Sequence, residues 1–72
     1  MNDDQENITL ATSHAKAIWT TMSKQERAAV RFGMIPLSAA QALEKLDLGL
    51  TARHIALGFM AAAKSDLVWE FW

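Results

Sequence analysis

Apolar side chains at Ile8, Ala11, Ala15, Ile18, Trp19 and Met22 recur at steps of three and four residues, the period of one helix face. They predict a first helix over residues 9–21. The run Ser23-Lys24-Gln25-Glu26 follows. In it the Ser23 hydroxyl can accept a backbone N–H while the Glu26 carboxylate reaches back, the reciprocal pattern of a capping box. A second helix is therefore expected over residues 24–32, stopped by Gly33 in a left-handed conformation. Pro36 disfavours a helical Ile35, so Met34-Ile35-Pro36 reads as an extended corner. Ser38 and Gln41 repeat the capping-box spacing and predict a third helix that ends near Asp47, with Gly49 as its stop. Thr51 then caps a fourth helix running at least to Lys64. Leu50 before that cap and Ile55 inside it have the spacing of a hydrophobic staple. Nothing alternates with the period of a strand. The expected fold class is all-α, a bundle of four short helices.

The fourth helix raises a difficulty. Continued to the end of the chain, it would carry Ile55, Phe59, Ala62 and Trp69 in one row. A second row would hold Ala56, Met60, Ala63, Leu67 and Phe71, and a third Leu57, Ala61, Val68 and Trp72. A helix that is apolar all round needs cover all round, and three short helices supply one face and its borders. The composition sharpens the point. The chain has 72 residues, 51% of them hydrophobic, which is much apolar area for one small domain to hide. A core of this size supplies only about 3–5 kcal/mol and is usually stapled. With no cysteine there is no disulfide, and two histidines alone make a poor zinc site. Self-association is the remaining staple, so a homodimer is expected, with Phe59, Met60, Leu67, Trp69, Phe71 and Trp72 at the dimer or partner interface. Small residues Gly58, Ala61 and Ala62 would let another backbone come close.

Charge changes the picture at one end only. Asp3, Asp4 and Glu6 make residues 1–7 an acidic stretch that reads as a disordered leader, ahead of a single helical domain over 8–72 with an aromatic C-terminal segment. That leader has neither the basic start nor the apolar centre of a signal peptide, and the longest uncharged apolar run, between Arg53 and Lys64, is too short to span a bilayer. A cytoplasmic protein without membrane contact is expected. The net charge of −1 argues against non-specific nucleic-acid binding. Lys24, Arg27 and Arg31 still fall at i, i+3 and i+7, a basic ridge that is either a solvated face or a dock for an acidic protein surface. A DNA-binding reading needs the second helix, the glycine corner and the third helix to act as a helix-turn-helix. The third helix, however, would offer Glu44 and Asp47 to phosphates beside Gln41 and Lys45.

No catalytic constellation is visible. His14 and His54 are far apart and joined by no ligand spacing, no serine lies in a nucleophile elbow, and three glycines make no phosphate loop. No enzyme activity, metal or cofactor is expected.

Residues 18–36, IWTTMSKQERAAVRFGMIP, do resemble a segment of short accessory proteins of temperate bacteriophages. The resemblance is carried by Trp19, Met22, Glu26-Arg27 and Val30-Arg31-Phe32-Gly33-Met34 before Pro36, and it covers about half the chain with 51–64 included. It is a pattern of helix-packing residues. In size and build the chain is also similar to the phage anti-quorum-sensing protein, a small helical dimer that inhibits a host quorum-sensing regulator and the ATPase that assembles type IV pili. The resemblance implies a non-enzymatic phage protein that binds and inhibits a host bacterial protein by occluding a functional surface. An anti-CRISPR inhibitor or a small DNA-binding regulator is the alternative.

Overall fold

Short polar signals set most of the helix boundaries. The computed structural model describes residues 3–66, in which four α-helices and no strand are found: α1 Asp3–Trp19, α2 Lys24–Arg31, α3 Leu37–Glu44 and α4 Ala52–Ser65. The fold class is all-α, as the periodicity predicts. Among the described residues no helix is long and apolar enough to cross a membrane.

At α2 the predicted capping box is complete. The Glu26 backbone N–H donates to Ser23 Oγ at 3.1 Å and the Ser23 N–H donates to Glu26 Oε1 at 2.8 Å. At α4 Thr51 caps as predicted, with a partner that the usual Glu/Gln rule passes over. His54 Nδ1 takes the place of the carboxylate and accepts the Thr51 N–H at 3.1 Å. The third helix departs from expectation. It starts at Leu37, one residue before Ser38, with Pro36 at the N-cap (φ −58°) and no side-chain cap, because the proline ring already fixes a backbone angle suited to helix entry. The Ser38 hydroxyl donates to Glu26 Oε2 at 2.9 Å and so ties the start of α3 to the start of α2. The helix also ends early, at Glu44, with Lys45 as its C-cap.

The acidic leader is a correction. From Asp3 onward it is helical, so α1 begins six residues before the expected start. Asp3, Asp4 and Glu6 lie in its first turn, where negative charge complements the helix dipole. A long-range tie adds to this, because Asp4 Oδ1 lies 2.7 Å from Arg53 Nη1 and 2.8 Å from His54 Nε2. Local polarity gave no sign of partners about fifty residues away.

The core lies between α1 and α4, which pack along each other, while α3 leans on α1 and α2 on α4. Ala11, Ala15 and Trp19 of α1 meet Ile55, Phe59, Ala62 and Ala63 of α4, and Val30, Ala39 and Leu43 close the remaining sides. Gly58 sits at the crossing. A Cβ there would lie 2.8 Å from the backbone carbon of Ala11.

Candidate interaction surface

The chain stops α2 with two backbone hydrogen bonds. The Gly33 N–H donates to the Val30 carbonyl and the Met34 N–H to the Ala29 carbonyl, both at 2.9 Å, with Gly33 at φ +88°. This is the Schellman arrangement, which needs a residue that tolerates the left-handed region. Ile35 turns back against the core, and Pro36 starts α3. The corner is therefore held by backbone bonds at one end and a proline at the other. Its side chains do the unexpected thing: Phe32 is 85% exposed, Leu37 72% and Met34 66%. The resemblance makes the run Val30 to Met34, before Pro36, a set of helix-packing residues. Of it, Val30 packs in the core, while Phe32 and Met34 stand in solvent. An i, i+2 separation across a helix stop sends the side chains out of the helical period, so a 3.6-residue pattern could not place them.

The basic ridge is largely turned inward. Arg27 Nε donates to the Trp19 carbonyl at 3.1 Å and Nη2 to the Thr20 carbonyl at 3.3 Å, so this guanidinium satisfies carbonyls at the end of α1. The Arg31 guanidinium lies 5.1 Å from the centre of the Trp19 ring, and its Nη2 donates to the Asp66 carbonyl at 3.2 Å. The Trp19 indole N–H donates in turn to the Asp66 carboxylate. Lys24 is exposed. The three residues share a helix, as predicted, but two of them bind the ends of α1 and α4 to α2.

The predicted interface divides three ways. Phe59 is fully buried in the core of the single chain, which corrects its assignment to an interface between copies: α1 already covers it. Met60 is 44% exposed. Leu67, Trp69, Phe71 and Trp72 lie outside the described residues. Met60 forms one wall of a groove of about 310 Å³ between α2 and α4, together with Val30, Arg31, Ala63 and Lys64.

His54 serves the fold at the start of α4. His54 Nδ1 accepts a backbone N–H, so the ring proton sits on Nε2 and is donated to Asp4 Oδ1 at 2.8 Å. Both ring nitrogens are thus used to hold the starts of α1 and α4 together, and the residue is buried. Among the described residues no group of three His, Cys, Asp or Glu side chains could hold a metal ion.

Two carboxylates carry a pH signature. Hydrogen bonds from His54 and then Arg53 hold Asp4 below its ordinary range, and those from the Ser23 backbone and the Ser38 hydroxyl do the same for Glu26. A carboxylate depressed on folding stabilises the native state above its unfolded pKa, and that contribution disappears as pH falls through the folded value. The melting temperature is therefore expected to fall as pH drops below about 4, the ordinary carboxylate range. An Asp4→Asn, Glu26→Gln double variant should show a flatter acid limb in circular dichroism melts. An acid limb of unchanged steepness would show that these two tethers are not what acid breaks.

Searched against family models, curated proteins and solved structures, the chain matches none.

Proposed function

We propose that this chain is a non-enzymatic binding protein that disables a host bacterial protein by covering a surface the target needs, and that the α2–α3 corner is its docking element. One observation carries this reading: Phe32, Met34 and Leu37 are large, apolar and well over half exposed on a backbone that two hydrogen bonds and a proline hold in place. Aromatic and methionine side chains are enriched at protein interfaces. A rigid apolar projection loses little conformational freedom on binding, so more of its burial appears as affinity. Its complement is an apolar cleft on a folded protein. The phage origin, and a quorum-sensing regulator or a type IV pilus ATPase as the leading target, rest on the resemblance of residues 18–36, which include Phe32 and Met34. A DNA-binding role has less support. The corner that would meet the duplex presents three large hydrocarbon surfaces, and Arg27 and Arg31 are engaged within the fold.

The test is capture from host lysate, identification of the bound protein, and reconstitution from purified components. Changing Phe32 and Met34 together to serine is expected to weaken the purified complex by roughly thirtyfold, the scale of a hot-spot loss of about 2 kcal/mol. Because both side chains are solvated, the melting temperature should hardly move. A purified complex of unchanged affinity would sink the reading. Light scattering separates the rival occupant, a second copy, which would show as a dimeric mass lost in the same variant.

A further inference from the structure

We propose that Met34 is a modification site: a peroxide oxidises its thioether to the sulfoxide and so turns the α2–α3 corner from an apolar docking surface into a polar one, and enzymatic reduction turns it back. This regulation rests on the docking role of that corner.

Placement singles out the residue. The chain has four methionines, of which Met1 lies outside the described residues. Met22 belongs to the core and is 7% exposed, Met60 on the wall of the α2–α4 groove is 44% exposed, and Met34 is 66% exposed. A thioether reacts where an oxidant can reach its sulfur, so susceptibility follows exposure. Met34 is therefore the first of the three to react.

The fold is indifferent to that reaction. Met34 is held by its backbone, whose N–H donates to the Ala29 carbonyl at 2.9 Å beside Gly33 in the left-handed region. Its side chain is neither in the core nor packed against it. A sulfoxide oxygen there stays hydrated. The same oxygen on Met22 would enter the core, where a polar group without a partner is costly. The exposed methionine can thus change the surface without loosening what lies beneath it.

The chemistry balances with hydrogen peroxide as the oxidant. The sulfur lone pair attacks one peroxide oxygen, and an S–O bond forms as the O–O bond breaks. The proton of the transferred oxygen goes to the departing hydroxide, which leaves as water. Sulfur loses two electrons and the peroxide gains them. Methionine sulfoxide reductases, one for each sulfoxide epimer, reverse the step. The electrons then come from a dithiol, which closes to a disulfide as the oxygen leaves as water.

The consequence falls on the corner. Met34 stands between Phe32 and Leu37, both large, apolar and exposed. Pressed into an apolar cleft, the sulfoxide oxygen would lose its water and find no donor. A polar group buried in that way is expected to weaken binding by about tenfold.

The intact chain is treated with hydrogen peroxide, and peptide mass spectrometry locates the sulfoxides. Oxidation is expected roughly ten times faster at Met34 than at Met22, the ratio of their exposed fractions, with Met60 between them. A Met60→Leu background removes the second accessible site while conserving apolar volume. In it, the Met34 sulfoxide should leave the melting temperature unchanged, and the two reductases should restore the original mass without unfolding. Oxidation of Met34 no faster than that of Met22, or a lowered melting temperature, would overturn the proposal with no target in hand. The purified complex obtained by capture supplies the functional arm, with the chain oxidised and freed of peroxide before mixing. Its affinity should fall by about tenfold and recover on reduction, the size set by one buried polar group. In Met34→Leu, peroxide should leave the affinity where it was before treatment. Unchanged affinity of the oxidised chain, where the Phe32→Ser, Met34→Ser double variant does lose affinity, would overturn the switch and leave the docking reading intact. Unchanged affinity in that double variant would remove the docking reading and the switch with it.

Discussion

Changing Phe59 to alanine is expected to leave the chain unfolded at 25 °C, with loss of the helical signal in far-ultraviolet circular dichroism. Phe59 is fully buried and the largest such side chain among the described residues. Truncating a buried phenylalanine costs about 3–5 kcal/mol, the lost transfer free energy plus the cavity left behind. A core of this size supplies about the same amount, roughly 3–5 kcal/mol. One substitution thus removes most or all of the margin. Phe32→Ala is the matched control, because the deleted atoms are the same and the residue is 85% exposed. It should change stability by about 0.5 kcal/mol or less. The pair also distinguishes two places for Phe59. At an interface between copies, its loss would release folded monomer. In the core of one chain, it gives unfolded chain at every protein concentration. A folded Phe59→Ala protein with a melting temperature near the parent's would mean that α1 does not cover this ring.

What could be read from the sequence was what neighbours in the sequence decide. Ser23 with Glu26, Thr51 before α4, and Gly33 as a left-handed stop each involve groups within a few residues, and each stands where the pattern puts it. Ser38 shows how a local rule fails through competition. Its spacing to Gln41 satisfies the capping-box rule, yet Pro36 opens the helix first and leaves the hydroxyl free to bond Glu26. The rest was hidden because its causes lie far along the chain. Asp4 is held by Arg53 and His54, and without that tie residues 3–7 look like a solvated tail. Arg27 lies on the face the periodicity assigns, but its partners are the carbonyls of Trp19 and Thr20 at the end of another helix. The exposed corner was hidden for a different reason. Hydrophobicity says which residues favour burial, and Phe32 and Met34 go unburied where the chain reverses, so only the backbone path reveals them as a surface.

Gly58 supports a second large prediction, one whose sign is opposite to what its helix position alone would give. Glycine inside a helix is about 1 kcal/mol less favourable than alanine, and replacing it also restricts the unfolded chain. At an open helical site Gly→Ala would therefore stabilise. Here an added Cβ would sit 2.8 Å from the carbonyl carbon of Ala11, 2.9 Å from its oxygen and 3.0 Å from its Cβ. Two of those atoms are backbone, so no rotamer change relieves the contact. α1 and α4 must move apart along the pairing that carries the core. Overpacking of this kind costs about 1–3 kcal/mol, occasionally more. With two backbone contacts under 3.0 Å the cost lies at the upper end of that range, about 3 kcal/mol, so after the propensity gain of about 1 kcal/mol Gly58→Ala is expected to lose about 2 kcal/mol, a fall of about 10 °C in melting temperature for a domain of this length. Ala11→Gly should not rescue it, since that change removes only the Cβ and leaves the two backbone contacts in place. A double-mutant cycle would then give a coupling energy near zero, while a side-chain clash would give one close to the full loss. A higher melting temperature for Gly58→Ala would mean that α1 and α4 do not approach this closely, and the covering of Phe59 by α1 would need another explanation.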